Sequence, residues 1–345
     1  MDQIPNPAAE TTSINYQSEQ PASQSWWTRF RLTTKRHGRR YWFALVLAAY
    51  LFGAGSGYLF GWRKLVEYKT AHEHDTEVES AETDSLWMDL AKQVNPEEGY
   101  DIPVVLGDVG MNLVASGAID LDKYIKVFEN SGEPLTPEQM NILQETSSSA
   151  VVINQKNAHF WLNFFWALGL ANQNPVLTEG PMMDGGREKV VNFASTGGWT
   201  IAAVPVAQVY ASQTLVILNE SQQSLLEEVA QVVYRPCCNN ATHFPDCNHG
   251  MGMLGLLELM ASQGASKKEM LEAAKYVSAF WYPQQMLEVA VALQKTKGVD
   301  FEKLDPATAV GKNTFSGSGF QQVHQWLGQN GLLEQTPDGD GGCGV

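Results

Sequence analysis

An uncharged run of 22 residues, 41–62, constrains the fold of this chain more than any other sequence feature. About 20 apolar residues are enough for a helix to cross a bilayer, and aromatic residues stand at both ends of the run, as they do at membrane interfaces. We therefore predict one transmembrane helix at 41–62. A cleavable signal peptide is the alternative, but its apolar region is usually only about 7–15 residues long.

The charges on either side of this run predict its orientation. Lys and Arg side chains are concentrated at 29–40, with no acidic residue among them. Because such residues stay on the cytoplasmic side, we predict a disordered basic cytoplasmic tail at 1–40 and an extracytoplasmic main domain at the cell membrane. The whole chain has a formal net charge of -15, and its acidic excess follows the run. Such a surface repels phosphate backbones and predicts no nucleic-acid partner.

Three glycines recur at every fourth position of the apolar run: Gly53, Gly57 and Gly61. This spacing places them on one face of a helix, where a second helix could approach closely. The run therefore suggests a homodimer formed through this face. The alternative is that glycine is simply common in membrane helices.

The remainder of the chain is predicted to be mainly α: one N-terminal transmembrane helix followed by a multi-helix extracytoplasmic domain. We interpret 63–83 as a charged juxtamembrane linker, 84–331 as the helical domain and 332–345 as a flexible tail that contains a cysteine. Helical spacing of apolar residues and helix-start signals carry this prediction. The predicted helices cover 86–94, 104–116, 120–129, 159–172, 221–234, 248–262, 266–281, 283–297 and 319–328. A further helix is predicted to start at 136–137, and the strand candidates are 150–153 and 214–218.

Three of the four cysteines fall in one short loop with the order Cys-Cys-x8-Cys-x-His. Thiolate and imidazole are ligands of zinc, and a nearby thioether would favour Cu(I). The spacing is not one of the common zinc patterns. The predicted metal ligands, for Zn or Cu(I), are Cys237, Cys238, Cys247, His249 and Met253, the last of which shares a helix face with His249.

The same thiols allow two other interpretations. Cys247 could form a structural disulfide with Cys237 or Cys238, whereas a disulfide between the adjacent Cys237 and Cys238 would be strained. Alternatively, the thiols could exchange disulfides. Cys247 is predicted to lie at or just before a helix N-terminus, where free amides and the helix dipole favour a thiolate. Cys343, which is flanked by glycines, could exchange disulfides with the loop or pin the tail to it as a fixed bridge. Cys247 and Cys343 are therefore the redox candidates, and no catalytic role is assigned.

Other chemistry finds little support in the sequence. Ser195 lacks the Gly-x-Ser-x-Gly context of a nucleophile elbow. The glycines at 197–198 do not form a phosphate-binding loop, because no Lys-Ser/Thr follows them. The predicted function is therefore metal binding or thiol–disulfide chemistry by a membrane-anchored extracytoplasmic protein. The alternative is a disulfide-stapled structural or interaction domain of the cell envelope without catalytic activity.

Three segments together resemble a family of uncharacterised membrane-anchored bacterial proteins. They are Phe-Ala-Ser-Thr-Gly-Gly-Trp at 193–199, the loop from Arg-Pro-Cys-Cys to Glu-Leu-Met at 235–260, and the terminal Gly-Gly-Cys-Gly-Val at 341–345. The resemblance covers most of the outer domain. It implies a bacterial origin and an ordered cysteine loop, and it implies no particular activity.

Overall fold

The computed structural model describes residues 63–64 and 82–333. The chain divides into two units, 1–77 and 78–345, and residues 63–64 of the first are helical. No helix among the described residues has both the length and the apolar character needed to cross a membrane. The predicted span at 41–62, with Gly53, Gly57 and Gly61, lies outside the described residues, as does Cys343.

Helices dominate residues 82–333, as predicted. In chain order they are α1 (82–94), α2 (Val109–Ala115), α3 (Leu121–Asn130), α4 (Pro137–Gln144), α5 (Ala158–Ala171), α6 (Pro175–Thr178), α7 (Ala194–Gly197), α8 (Val206–Val209), α9 (Glu220–Val232), α10 (Asn248–Ser262), α11 (Lys267–Trp281), α12 (Pro283–Lys297), α13 (Pro306–Ala309), α14 (Lys312–Phe315) and α15 (Gly317–Gln329). Short 3-10 helices lie at Pro181–Met183, Arg187–Asn192 and Phe301–Lys303. Strands β1 (Tyr100–Ile102) and β2 (Val151–Ile153) pair antiparallel.

Local capping fixes several helix starts. Three helices start with a capping box, at Thr136, Asn219 and Ser266. In each, the capping side chain accepts a hydrogen bond from the amide of the third helical residue, and the side chain of that third residue accepts one from the amide of the capping residue. The predicted starts of α4 and α11 are confirmed. At the far end of α12, Gly298 adopts a left-handed conformation with φ 66°, which suits the residue without a Cβ.

The core is built around the crossing of α5 and α10, which are buried over nearly their whole lengths. Gly169 and Gly255 face each other at the crossing: a Cβ on Gly255 would lie 2.5 Å from the Gly169 amide nitrogen. Only glycines allow the two backbones to approach this closely. The prediction of a buried helix at 159–172 is confirmed.

Two predicted elements differ from the structure. The predicted helix at 104–116 begins only at Val109, because Gly107 pairs with Ser147 through two backbone hydrogen bonds of 2.8 and 2.9 Å. The strand prediction at 214–218 is wrong. The amides of Leu215 and Val216 donate instead to Oδ1 of the buried Asn172, at 3.0 and 2.9 Å, and so need no strand partner.

Candidate metal centre

The loop that joins α9 to α10 doubles back on itself and so gathers the cysteines. Tyr234 and Ala241 form an isolated antiparallel bridge, and the Thr242 amide donates to the Val233 carbonyl over 2.8 Å. The Tyr234 amide is held by the Val310 carbonyl at 2.8 Å. These bonds hold the two arms of the loop together, close to the start of α10.

Three thiols meet there. The Sγ atoms of Cys237, Cys238 and Cys247 all lie within 4.8 Å of one another, and this group could hold a metal ion. Cys237 is exposed and the other two are partly buried. Sγ of Cys237 lies 3.7 Å from Sγ of Cys247, which is well beyond the roughly 2.05 Å of a disulfide. All three are free cysteines.

A buried arginine organises the loop around these thiols. Arg235 is only 3 % exposed. Its Nε–H donates to Sγ of Cys247 over 2.9 Å, and its other nitrogens donate to the carbonyls of Asn240 and Phe244 at 3.1 and 2.9 Å. It also forms an ion pair with Asp246. This role was not anticipated from the sequence, because a single Arg before Pro has no distinctive pattern.

The position of Cys247 at a helix start is confirmed, since it is the N-cap residue of α10. The third residue of α10 has to be small there: a Cβ on Gly250 would lie 2.6 Å from Cζ of Arg235. This glycine lets the guanidinium pack directly on the first turn of α10. The thiol at the helix start therefore lies beside a fixed positive charge.

The three thiols have different proton affinities. Hydrogen bonds from Cys237 and Cys238 lower the pKa of Cys247; Arg235 and the Gly250 amide act in the same direction, against burial. Hydrogen bonding with its two neighbours and burial raise the pKa of Cys237. For Cys238, the bond with Cys237 lowers the pKa, but the bond with Cys247 and burial outweigh it. Cys247 is thus the most acidic of the three thiols.

His249 lies one residue inside α10 and is 8 % exposed. Its Nδ1 is 2.9 Å from Oδ1 of Asn248, and its ring packs on Tyr282 with 4.4 Å between the centroids. Burial lowers the pKa of His249 to about 4, so the imidazole is neutral near pH 7. The Tyr282 hydroxyl lies 3.2 Å from Sγ of Cys237, and this tyrosine was not anticipated from the sequence.

The predicted ligands therefore fall into two groups. Cys237, Cys238 and Cys247 come together, whereas the ring nitrogens of His249 are outside their 4.8 Å group. Met253 is 3 % exposed and belongs to the hydrophobic core. The assignment of His249 and Met253 as ligands remains a prediction.

Comparisons of the chain with protein-family models, with curated proteins and with solved structures found no match. The resemblance to membrane-anchored bacterial proteins therefore remains a prediction from the sequence.

Proposed function

We propose that the cysteine loop binds a single soft or borderline metal ion, Zn²⁺ or Cu(I), through the thiolates of Cys237, Cys238 and Cys247. One observation carries the proposal. Two thiolates on a tetrahedral zinc with bonds of about 2.3 Å stand roughly 3.8 Å apart, and Sγ of Cys237 and Cys247 are 3.7 Å apart. The loop thus holds these sulfurs at a spacing suited to an ion between them.

The surroundings suit such an ion. Thiolate ligands must lose their protons when a metal binds, and an ion held by three thiolates leaves a net negative charge. The guanidinium of Arg235, fixed against Cys247 and Asp246, offsets part of that charge. Its hydrogen bond occupies one side of the Cys247 sulfur and favours a single ion over a cluster with bridging sulfurs.

The proposed setting of this site is a membrane. The apolar run at 41–62 and the basic residues before it support a single span with the N-terminus in the cytoplasm and the site outside. Gly53, Gly57 and Gly61 support association of two copies through the span. The acidic charge of the chain argues against a nucleic-acid partner.

Metal titration of the full-length chain, purified under reducing conditions, tests the proposal. We expect about one Zn²⁺ per chain, with affinity that falls as the pH is lowered, because protons compete for the sulfurs. Cys237→Ala and Cys247→Ala should each weaken binding, and His243→Ala, a change in the same loop outside the thiol group, should not. Stoichiometric binding that survives loss of both cysteines would place the metal elsewhere.

Thiol–disulfide exchange is a second candidate, favoured by the low pKa of Cys247 beside the exposed Cys237. Cys247 thiolate would attack a substrate disulfide and release one substrate thiolate. Cys237, after losing its proton, would then attack Sγ of Cys247 and release the second, so that the substrate is reduced and a 237–247 disulfide forms. Cys238→Ala separates the two functions: it should leave this exchange intact but weaken metal binding.

A further inference from the structure

Tyr282 lies at the junction of α11 and α12, and its backbone is bonded to both helices. Its amide donates to the Ser278 carbonyl over 2.9 Å, and its carbonyl accepts from the Met286 amide at 2.9 Å. Both partners belong to these helices and not to the cysteine loop. The backbone position of Tyr282 is therefore set by elements other than the loop that its side chain reaches.

The side chain of Tyr282 is fixed by packing. It is 5 % exposed. Its ring centroid lies 4.4 Å from that of His249 in α10 and 5.9 Å from that of Phe315 in α14, the latter in an edge-on arrangement. From this aromatic cluster the hydroxyl reaches Cys237, with 3.2 Å between Oη and Sγ.

Cys237 is the thiol for which such a contact matters most. It is exposed, whereas Cys238 and Cys247 are partly buried, and Cys247 is already held by Nε–H of Arg235 at 2.9 Å. Restricting an exposed side chain to one rotamer costs conformational entropy when a metal binds. The contact with Tyr282 offsets part of that cost, because it favours one position of the Cys237 sulfur.

Metal binding would define the direction of the hydrogen bond between Tyr282 and Cys237. In the metal-free loop either atom could be the donor. A thiol that binds a metal loses its proton, so the sulfur can then only accept. A phenol has an ordinary pKa of about 10 and keeps its proton near pH 7. The hydrogen bond to the bound thiolate therefore runs from Oη–H to Sγ, and bonds to an ionised acceptor are stronger than those between neutral groups.

We propose that Tyr282 is a positioning residue of the metal centre, whose hydroxyl holds the exposed sulfur of Cys237 on the ion and makes this sulfur less nucleophilic. This inference rests on the proposed metal-binding function. A hydrogen bond to a bound thiolate withdraws electron density from the sulfur. Tyr282 thereby favours retention of the metal over thiol–disulfide exchange, in which the Cys237 sulfur must attack another sulfur.

Tyr282→Phe removes the hydroxyl and keeps the ring that packs on His249 and Phe315. Cobalt(II), which replaces zinc in thiolate sites, supplies the spectroscopic readout in the full-length chain. We expect the sulfur-to-cobalt charge-transfer absorption to move to longer wavelength, because a thiolate without the hydrogen bond gives up an electron more easily. Zinc affinity, measured by competition with a chelator, should fall about 10-fold. Iodoacetamide should alkylate Cys237 of the zinc-loaded chain about 10-fold faster.

Tyr210→Phe is the matched control. It removes the hydroxyl of another buried tyrosine, which donates to the Leu177 carbonyl over 2.8 Å and not to a cysteine. This change should lower the thermal stability but leave the cobalt spectrum, the zinc affinity and the alkylation rate as in the parent. A merely structural role of Tyr282 predicts the same pattern for Tyr282→Phe, with no movement of the charge-transfer absorption.

The outcomes separate this inference from the function on which it rests. If the parent chain binds no cobalt, the metal-binding proposal itself fails. If the parent binds cobalt and Tyr282→Phe keeps its absorption and alkylation rate, only the inference about Tyr282 fails. If Tyr282→Phe releases one proton fewer than the parent on zinc binding, the phenolate binds the ion directly, which would also overturn the positioning role.

A second measurement applies even if Tyr282→Phe does not fold. The parent chain is labelled with fluorotyrosine, whose phenol is a stronger hydrogen-bond donor. A charge-transfer absorption at shorter wavelength than in the unlabelled chain would support the hydrogen bond from Tyr282 to the bound Cys237. An unchanged absorption would overturn it.

Discussion

Nε of Arg235 donates to Sγ of Cys247 across 2.9 Å, so the most acidic thiol of the loop is in direct contact with a buried guanidinium. The same side chain binds two loop carbonyls and Asp246. Arg235 therefore both stabilises the fold of the loop and favours the thiolate form of Cys247. A change at this residue should affect both.

Arg235→Gln should destabilise the protein by about 2–4 kcal/mol, because it removes the hydrogen bonds of a buried guanidinium to two loop carbonyls and its ion pair with the partly exposed carboxylate of Asp246. Urea unfolding followed by circular dichroism measures this. Lys267→Ala is the control: Lys267 pairs with Glu228 on the surface, with both side chains substantially exposed, and its loss should cost less than about 1 kcal/mol. An equal cost for the two variants would contradict the role of Arg235.

The buried Glu258 should give the free energy of unfolding a distinctive pH dependence. Burial raises the pKa of Glu258 well above 4.5, despite the hydrogen bond from Asn172 that lowers it. The pKa of Glu258 is higher in the folded than in the unfolded protein. Its contribution to the free energy of unfolding is therefore present in full below about pH 4.5 and is lost as the pH rises towards the folded-state pKa. Glu258→Gln should abolish this loss.

The measurement is the difference in unfolding free energy between Glu258→Gln and the parent, followed from pH 4.5 upwards. It should grow in favour of the variant by about 1.4 kcal/mol per pH unit until the folded pKa is reached. Glu228→Gln is the control, because Glu228 is exposed and pairs only at the surface. A pH-independent difference for Glu258→Gln would show that Glu258 is ionised in the folded protein.

The sequence predicted those elements whose signals are local. Thr136 and Ser266 are recognisable as helix starts because each has a Gln or Glu three positions further on, as in a capping box. Cys247 directly precedes the apolar pattern of α10. By contrast, β1 was missed because its partner β2 lies about fifty residues further on and each strand has only three residues. Such a pairing leaves no periodic pattern in the sequence.

The site shows the same division. The three loop cysteines were recognisable from their spacing, but the contribution of Arg235 depends on loop closure, which no local pattern encodes. Tyr282 comes from the junction of α11 and α12, and reaches Cys237 only through tertiary packing. Helical spacing places Met253 on the same helix face as His249 and so predicts its sulfur as a ligand. The spacing alone does not show that the Met253 side chain is buried in the hydrophobic core.

Gly255→Ala should disrupt the packing of α5 against α10. The added Cβ would meet the Phe165 carbonyl and lie 2.5 Å from the Gly169 nitrogen, and backbone atoms cannot move aside without separating the helices. We expect a loss of at least about 2 kcal/mol, as for other overpacked cores. The control is Gly328→Ala in α15, where the added Cβ meets only Leu333 Cδ1 at 3.3 Å. That substitution should be neutral or stabilising by up to about 1 kcal/mol, and thermal unfolding distinguishes the two.

Met253→Leu tests whether a thioether takes part in the metal centre. Met253 is 3 % exposed and packs in the core, so a substitution of similar volume should cost less than about 1.5 kcal/mol. If Met253 acts only as a core residue, the affinities for Zn²⁺ and Cu(I) should both stay within about twofold of the parent, since no ligand is lost. Competition with a chromogenic chelator measures each affinity. A selective loss of Cu(I) affinity, with Zn²⁺ binding unchanged, would instead show that the sulfur of Met253 reaches the ion and that the start of α10 rearranges when the metal binds.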